Sequence, residues 1–339
     1  MAVNEAKEQR GQKMNAPLQK ICEQFIENRE TIKKTLKMGS AYVYPVCANL
    51  FCGKGETAQA ERLAGCREIL KKKAGIFSSF RGAIEHAVIC MLALEEKPEE
   101  KLERALAAYA LMKKEFMASD YLALAAFMLA DEEGMEEKVA RGKRIYKRMQ
   151  KEHPFLTSTE DSVYALMLAF AQRDEDTLIG DMEECYDLLK KQLSSSGNYL
   201  QTVSHILALA EGDARAKTER FMELYDAIGQ FGGKYGRYYE LTVLAALSVL
   251  RGDVRQMAAD MMDADAFLAT QKGYGFWGVG KKIRLMHAAM LISNLYSQKE
   301  EMKTASMSAA ISMVIAQNMA SLAAVSAATS AAAAASSGH

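Results

Sequence analysis

Asp181-Met-Glu-Glu-Cys-Tyr-Asp-Leu-Leu-Lys-Lys-Gln-Leu193 leads into Ser194-Ser-Ser-Gly-Asn198, and then into an apolar stretch ending in His205-Ile-Leu-Ala-Leu209. Met182, Cys185, Tyr186, Leu189 and Leu193 fall three or four apart, so they form one stripe of an amphipathic helix. The serine- and glycine-rich turn breaks it, and a more apolar helix follows. This helical hairpin, Glu175 to Leu209, is the clearest copy of a unit of about forty residues.

Outward from it, the same two kinds of helix alternate. Apolar helices (A) are predicted to end near Phe51, Leu94, Leu129, Phe170, Leu209 and Leu250. Amphipathic helices (B) share one position, aromatic in five of six copies: Cys66, Tyr109, Tyr146, Tyr186, Tyr225 and Phe267. Two independent landmarks with one period indicate a helical repeat array, in which each unit buries its face against its neighbours. Tyr121 to Ala130 is apolar throughout, and a helix without a polar face is buried on most sides. The A helices are therefore expected as an inner layer and the B helices as an outer one. The predicted fold is all-α, about seven hairpins forming an open α-α superhelix, with a closed α/α toroid as the alternative.

The rest of the chain agrees with helix. Half of its 339 residues are hydrophobic and only four are proline (Pro17, Pro45, Pro98, Pro154). No run of alternating β-branched residues marks a strand. Residues 1–14 are expected to be disordered, 15–325 to form a single α-helical repeat domain, and 326–339 to be a disordered Ala/Ser-rich tail. Asn15 can cap a first helix with Pro17 in its first turn, and Gly39 is expected to stop it. A seventh A helix is predicted over Lys281 to Tyr296.

Composition narrows the function classes. Lysine plus arginine equals aspartate plus glutamate, 43 against 43, so no basic nucleic-acid footprint exists at the level of the chain, and no nucleic-acid partner is expected. The N-terminus lacks the apolar core of a signal peptide. The six cysteines have no zinc-like spacing, and reduced thiols in a cytoplasmic protein are expected. No charge interrupts the tail between Lys303 and His339, a length that could span a bilayer. Its serines and alanines favour a packed last helix, and membrane insertion is not expected.

The turns that lead from B to A helices gather the candidate ligand-binding residues: Phe80, Arg81, Tyr235, Arg237, Tyr238, Trp277 and Lys281. They lie near lysines that end the B helices, and each turn opens a helix whose first N–H groups can hold an anion. An aromatic, basic rim suits a small phosphorylated or carboxylated ligand, or a peptide. Against this, basic helix ends are what any helix dipole favours. Gly275-Phe-Trp-Gly-Val-Gly-Lys281-Lys282 approaches a phosphate loop but has Lys282 where the hydroxyl belongs, and no preceding strand. His86, His205 and His287 sit at different heights of their A helices and are read as core histidines, so no metal and no cofactor are expected. Glu85, Asp120, Glu160, Asp161 and Glu240 near A-helix starts are the possible acid/base pair, or simple caps.

The Phe80-Arg81-Gly82 turn, the Ser194–Asn198 turn, the Gly275-Phe-Trp-Gly278 turn and the alanine-rich tail together resemble a bacterial family of uncharacterised all-helical proteins, a domain of unknown function. The resemblance covers the chain from about Ala16. It implies a cytoplasmic bacterial protein and brings no catalytic residues. The reading is a non-catalytic binding or scaffold protein that uses this rim or the inner surface, with a toroid enzyme carrying carboxylates at the rim as the rival.

Overall fold

The computed structural model describes residues 14–37, 43–171, 173–275 and 278–299. Gly39, Trp277 and the tail, including 326–339, lie outside the described residues, as does the expectation of disorder over residues 1–13. Among the described residues there are fourteen α-helices, one short 3-10 turn (Ser79–Arg81) and no strand. The helices are α1 Ala16–Leu36, α2 Val43–Lys54, α3 Ala60–Lys73, α4 Glu85–Ala93, α5 Pro98–Met112, α6 Asp120–Leu129 and α7 Met135–Glu152. They continue with α8 Asp161–Phe170, α9 Glu175–Gln192, α10 Gly197–Leu209, α11 Ala214–Gln230, α12 Glu240–Ser248, α13 Val254–Ala269 and α14 Lys281–Lys299.

They group into two compact units. The first holds residues 27–151 and 157–170; the second holds 14–26, 152–156 and 171–299. Helix α1 contributes to both. Asn15 accepts the Leu18 N–H at 2.9 Å and caps it. It ends at Leu36, earlier than Gly39, with Lys37 in the left-handed region at φ 48°.

Burial separates two kinds of helix. In α4, α6, α8, α10, α12 and α14, most residues are buried; α12 has no exposed position from Glu240 to Ser248. In α3, α5, α7, α9, α11 and α13, burial follows one stripe, such as Val139, Gly142, Ile145 and Met149 in α7. Inside the first unit, α2 packs on α4, α6 on α8, and α3 on α5; inside the second, α10, α12 and α14 pack in sequence under α9, α11 and α13. Fully burying a leucine contributes about 2 kcal/mol, so these short inner helices carry most of the core.

One polar position ties the layers together. Arg62, Lys101, Arg141, Asp181, Arg220 and Asp260 recur every 39 or 40 residues on the outer helices. In the first unit, Arg62 donates to the carbonyls of Ala93 and Glu95 at the end of α4. Lys101 and Arg104 hold Asp131 after α6, the latter at 2.7 Å, and Arg141 donates to the Ala169 carbonyl of α8 at 3.0 Å. In the second unit, Arg220 donates to the carbonyls of Ser248, Leu250 and Gly252 after α12, at 2.8, 2.7 and 2.9 Å. Asp181 reverses the charge and reaches the same end. It binds Arg173 and Lys217, which donate to the carbonyls of Ala208 and Ala210 after α10. Asp260 accepts the Tyr296 hydroxyl of α14 at 3.0 Å. The last carbonyls of a helix have no partner within it, and positive charge there opposes the helix dipole.

Replacing Arg220 with alanine removes three such bonds and is expected to lower the unfolding free energy by about 2 kcal/mol. Asp181→Ala leaves Arg173 and Lys217 without their buried counter-charge and is expected to cost about 3 kcal/mol. Urea unfolding reads both. Losses below about 0.5 kcal/mol, the size of an ordinary surface change, would contradict the role assigned to this position.

Candidate functional site

The loops that enter the inner helices are fastened by the aromatic residues of the outer ones. Tyr109 donates from its hydroxyl to Ser79 Oγ at 2.9 Å, and Tyr146 to the Ser158 carbonyl at 3.0 Å. In the second unit, Tyr186 lies against His153 with ring centroids 4.6 Å apart, and the Arg237 Nε donates to the Tyr225 hydroxyl at 3.1 Å.

The Tyr225–Arg237 pair opens onto a half-open hollow of about 400 Å³ in the second unit. Its walls are Tyr225, Gly229, Gly233, Lys234, Tyr235, Arg237, Tyr238 and Lys282. Helix α11 ends there because Gly232 takes φ 82°, a left-handed cap that glycine adopts without strain. The Gly233 N–H then returns to the Ile228 carbonyl at 2.9 Å. The following loop is braced from both sides. Ser195 donates to the Arg237 carbonyl, and the rings of Tyr199 and Tyr238 meet edge to face at 5.7 Å. Lys282 Nζ stands 5.8 Å from the centroid of the Tyr238 ring, in the first turn of α14.

Charge in this hollow is one-sided. Lys234, Arg237 and Lys282 are exposed, and no carboxylate among the described residues lines it. Glu240, at the start of α12, is buried and turned inward, where Oε2 accepts the Tyr238 N–H at 3.1 Å. A side chain at position 236 would place its Cβ 2.1 Å from the Glu240 carboxyl carbon, so only glycine lets that carboxylate tuck in. The Tyr225 hydroxyl beside Arg237 further favours the charged guanidinium.

The residues expected from the sequence divide. Tyr235, Arg237 and Tyr238 come together here, although Tyr235 is buried and donates its hydroxyl to the Glu240 carbonyl at 2.9 Å. Lys281 is exposed at the start of α14, but its neighbour Lys282 lines the hollow. Phe80 and Arg81 belong to the first unit. Phe80 has no exposed surface and packs edge to face on Tyr109, which leaves it nothing to offer a ligand. Arg81 reaches Glu85 at 3.6 Å and the Ala74 carbonyl at 3.4 Å. Tyr225, Lys234 and Lys282 were not among the expected site residues. The signal for Tyr225 was its landmark position, twelve residues before Arg237, as Tyr146 precedes Ser158.

The acid/base candidates are occupied locally. Asp120 accepts the Ala83 N–H at 2.7 Å, Glu160 the Tyr121 hydroxyl at 2.7 Å, and Asp161 the Ser158 N–H at 2.7 Å. Burial pushes the Asp161 carboxyl up to about 6. His205 is buried, and burial drives its imidazole down to about 3, so it is neutral. His287 meets the Tyr274 hydroxyl through Nδ1 at 2.8 Å, and His86 Nε2 lies 2.9 Å from the Lys37 carbonyl. Among the described residues, no three His, Cys, Asp or Glu side chains converge on a metal site. The segment from Gly273 to Gly280 comes after α13, and among the described residues no strand precedes it, whereas a phosphate loop of the NTPase kind requires one.

Asp161 and His205 should pull stability in opposite directions with pH. The folded Asp161 holds its proton above the ordinary 3.8, so its contribution is full below that value and is lost as pH rises through 6. The folded His205 resists protonation, so its contribution is present above its ordinary 6.5 and is lost as pH falls toward 3. Between pH 4 and 7, the wild-type advantage over Asp161→Asn is expected to fall by about 3 kcal/mol at most. The advantage over His205→Asn is expected to rise in the same window. Urea unfolding at four pH values tests both, and a flat difference for either would contradict the burial argument.

The family described as a protein of unknown function (DUF4003) matches residues 28–320. No curated protein and no solved structure matches the chain. The match runs from α1 to beyond the end of α14 and takes in most of the sequence, and the chain belongs to the DUF4003 family.

Proposed function

We propose that this is a non-catalytic binding protein whose second unit takes a small anionic ligand, bearing phosphate or carboxylate groups, in the hollow between Tyr225, Arg237, Tyr238 and Lys282. The observation that carries this is the one-sided charge. Three cations face the hollow, while the neighbouring carboxylate, Glu240, is buried against backbone. Arginine offers a planar fork to such an anion, and a loop held on rigid helices keeps it in place. The first turn of α14 adds the positive end of a helix dipole. The non-catalytic part rests on the carboxylates, each of which is engaged in a separate local bond. The 39–40-residue recurrence of the helix-end clamp supports the helical-repeat reading of the chain. Six buried free thiols fit a reducing, cytoplasmic setting.

Isothermal titration with inorganic pyrophosphate and with citrate tests the proposal. At least one should bind the wild-type protein measurably, and Arg237→Ala with Lys282→Ala should weaken it by about tenfold or more, or 1.4 kcal/mol. Both side chains are exposed, so thermal unfolding should barely move. Absence of heat with both anions, or equal affinity in the double variant, would overturn the assignment.

A further inference from the structure

The exposed large apolar side chains among the described residues are Ile76, Phe77, Met117, Phe155 and Tyr238. Every one lies in a loop that leaves an outer helix and enters an inner one. In the first unit these are Ile76 and Phe77 between α3 and α4, 71% and 99% exposed, and Met117 between α5 and α6, 73% exposed. The two loops share an edge, because Tyr109 at the end of α5 bonds Ser79, and Asp120 at the start of α6 accepts the Ala83 N–H. A ring that is 99% exposed finds no pocket among the described residues.

The same edge is basic. Residues 71–84 and 113–120 carry six basic side chains and two acidic ones, Glu115 and Asp120. Asp120 is bound to Ala83 and Lys71 is paired with Glu68 at 3.0 Å, while Lys72, Lys113 and Lys114 are exposed, as is Glu115. The turns at the other ends of these helices are acidic: Glu95, Glu96, Glu99 and Glu100, then Asp131, Glu132 and Glu133. Glu99 reaches back to Lys73 at 3.0 Å, so the two charges are not fully separated; three exposed lysines, Lys72, Lys113 and Lys114, against one exposed acid, Glu115, keep the surroundings of the apolar tips basic.

We propose that this edge of the first unit docks on an anionic lipid surface. Ile76, Phe77 and Met117 enter the boundary between headgroups and acyl chains, and the lysines meet the anionic headgroups. Separate projecting tips need no complementary groove, and a bilayer interface yields to them where a folded protein would have to match them. Apolar residues flanked by lysines are the pattern of proteins that lie on a membrane without crossing it, since each lysine near an anionic leaflet adds attraction and its stem can bury while its charge stays in water. The described helices contain none long and apolar enough to cross a membrane, and surface docking requires none. The docking edge goes beyond the anion-binding reading and rests on different residues.

Co-sedimentation of the full chain with vesicles tests it. The protein should pellet with equal parts phosphatidylglycerol and phosphatidylcholine, remain in solution with phosphatidylcholine alone, and release as salt is raised. The triple variant Ile76→Ser, Phe77→Ser, Met117→Ser should bind about tenfold more weakly or worse, with unchanged thermal unfolding. Lys71→Gln, Lys72→Gln, Lys114→Gln should weaken binding to the anionic vesicles in the same way. Wild-type protein left in solution with anionic vesicles overturns the proposal. A triple variant that pellets like the wild type also overturns it, by moving membrane contact elsewhere in the chain.

Discussion

Every α-helix ends with four carbonyls that it cannot satisfy itself, and in this protein those ends belong to buried helices. Four of the inner helices are short: α4 and α12 have nine residues, and α6 and α8 have ten. Helices of this length are marginal alone, so their order depends on what meets their flanks and ends. Polar side chains spaced 39 or 40 residues apart on the outer helices, from Arg62 to Asp260, sit at these ends; Arg62, Arg141 and Arg220 bind carbonyls, Lys101 holds Asp131, and Asp260 holds Tyr296. Where that side chain is Arg220, it binds the carbonyls directly; where it is Asp181, it recruits Arg173 and Lys217 to do so. With the inner helices held at one end by charge, their other ends and the loops leading into them are free to vary.

Variation at that second edge is where chemistry can differ between loops. In the first unit the loops project apolar tips beside lysines. In the second, glycine-dependent turns fold closely enough to leave a basic hollow. Gly236 and Glu240 show how local sterics set the electrostatics. Because no Cβ fills the space, the carboxylate turns in to bond the Tyr238 N–H, and the hollow keeps its positive sign. An alanine at 236 would displace that carboxylate.

The alternation of helices was legible in the sequence, because burial on one stripe or on all sides writes itself into hydrophobic periodicity. The aromatic landmark was legible too, since five of six copies share a residue class. The clamp was not. Its six positions carry Arg, Lys, Arg, Asp, Arg and Asp, and the geometry that makes them equivalent exists only once the inner helix end is beside them. Loop aromatics were the least legible of all. Phe77 and Phe80 are three residues apart in one loop, yet one is almost wholly exposed and the other has no exposed surface. A one-residue step around the first turn of α14 likewise decided that Lys282, and not Lys281, faces the hollow. Carboxylates at helix starts read equally as acid/base groups or as caps, and only their partners, such as Ala83 for Asp120, separate the two.

The central claim is that the basic hollow of the second unit holds a small anion. Hydrogen–deuterium exchange with and without inorganic pyrophosphate tests it at the place itself. Bound pyrophosphate should slow exchange in the peptides covering residues 225–240 and 281–285 and leave exchange around the carbonyl clamps of the first unit unchanged. Exchange unaltered by pyrophosphate, or slowed only outside those two segments, would contradict it.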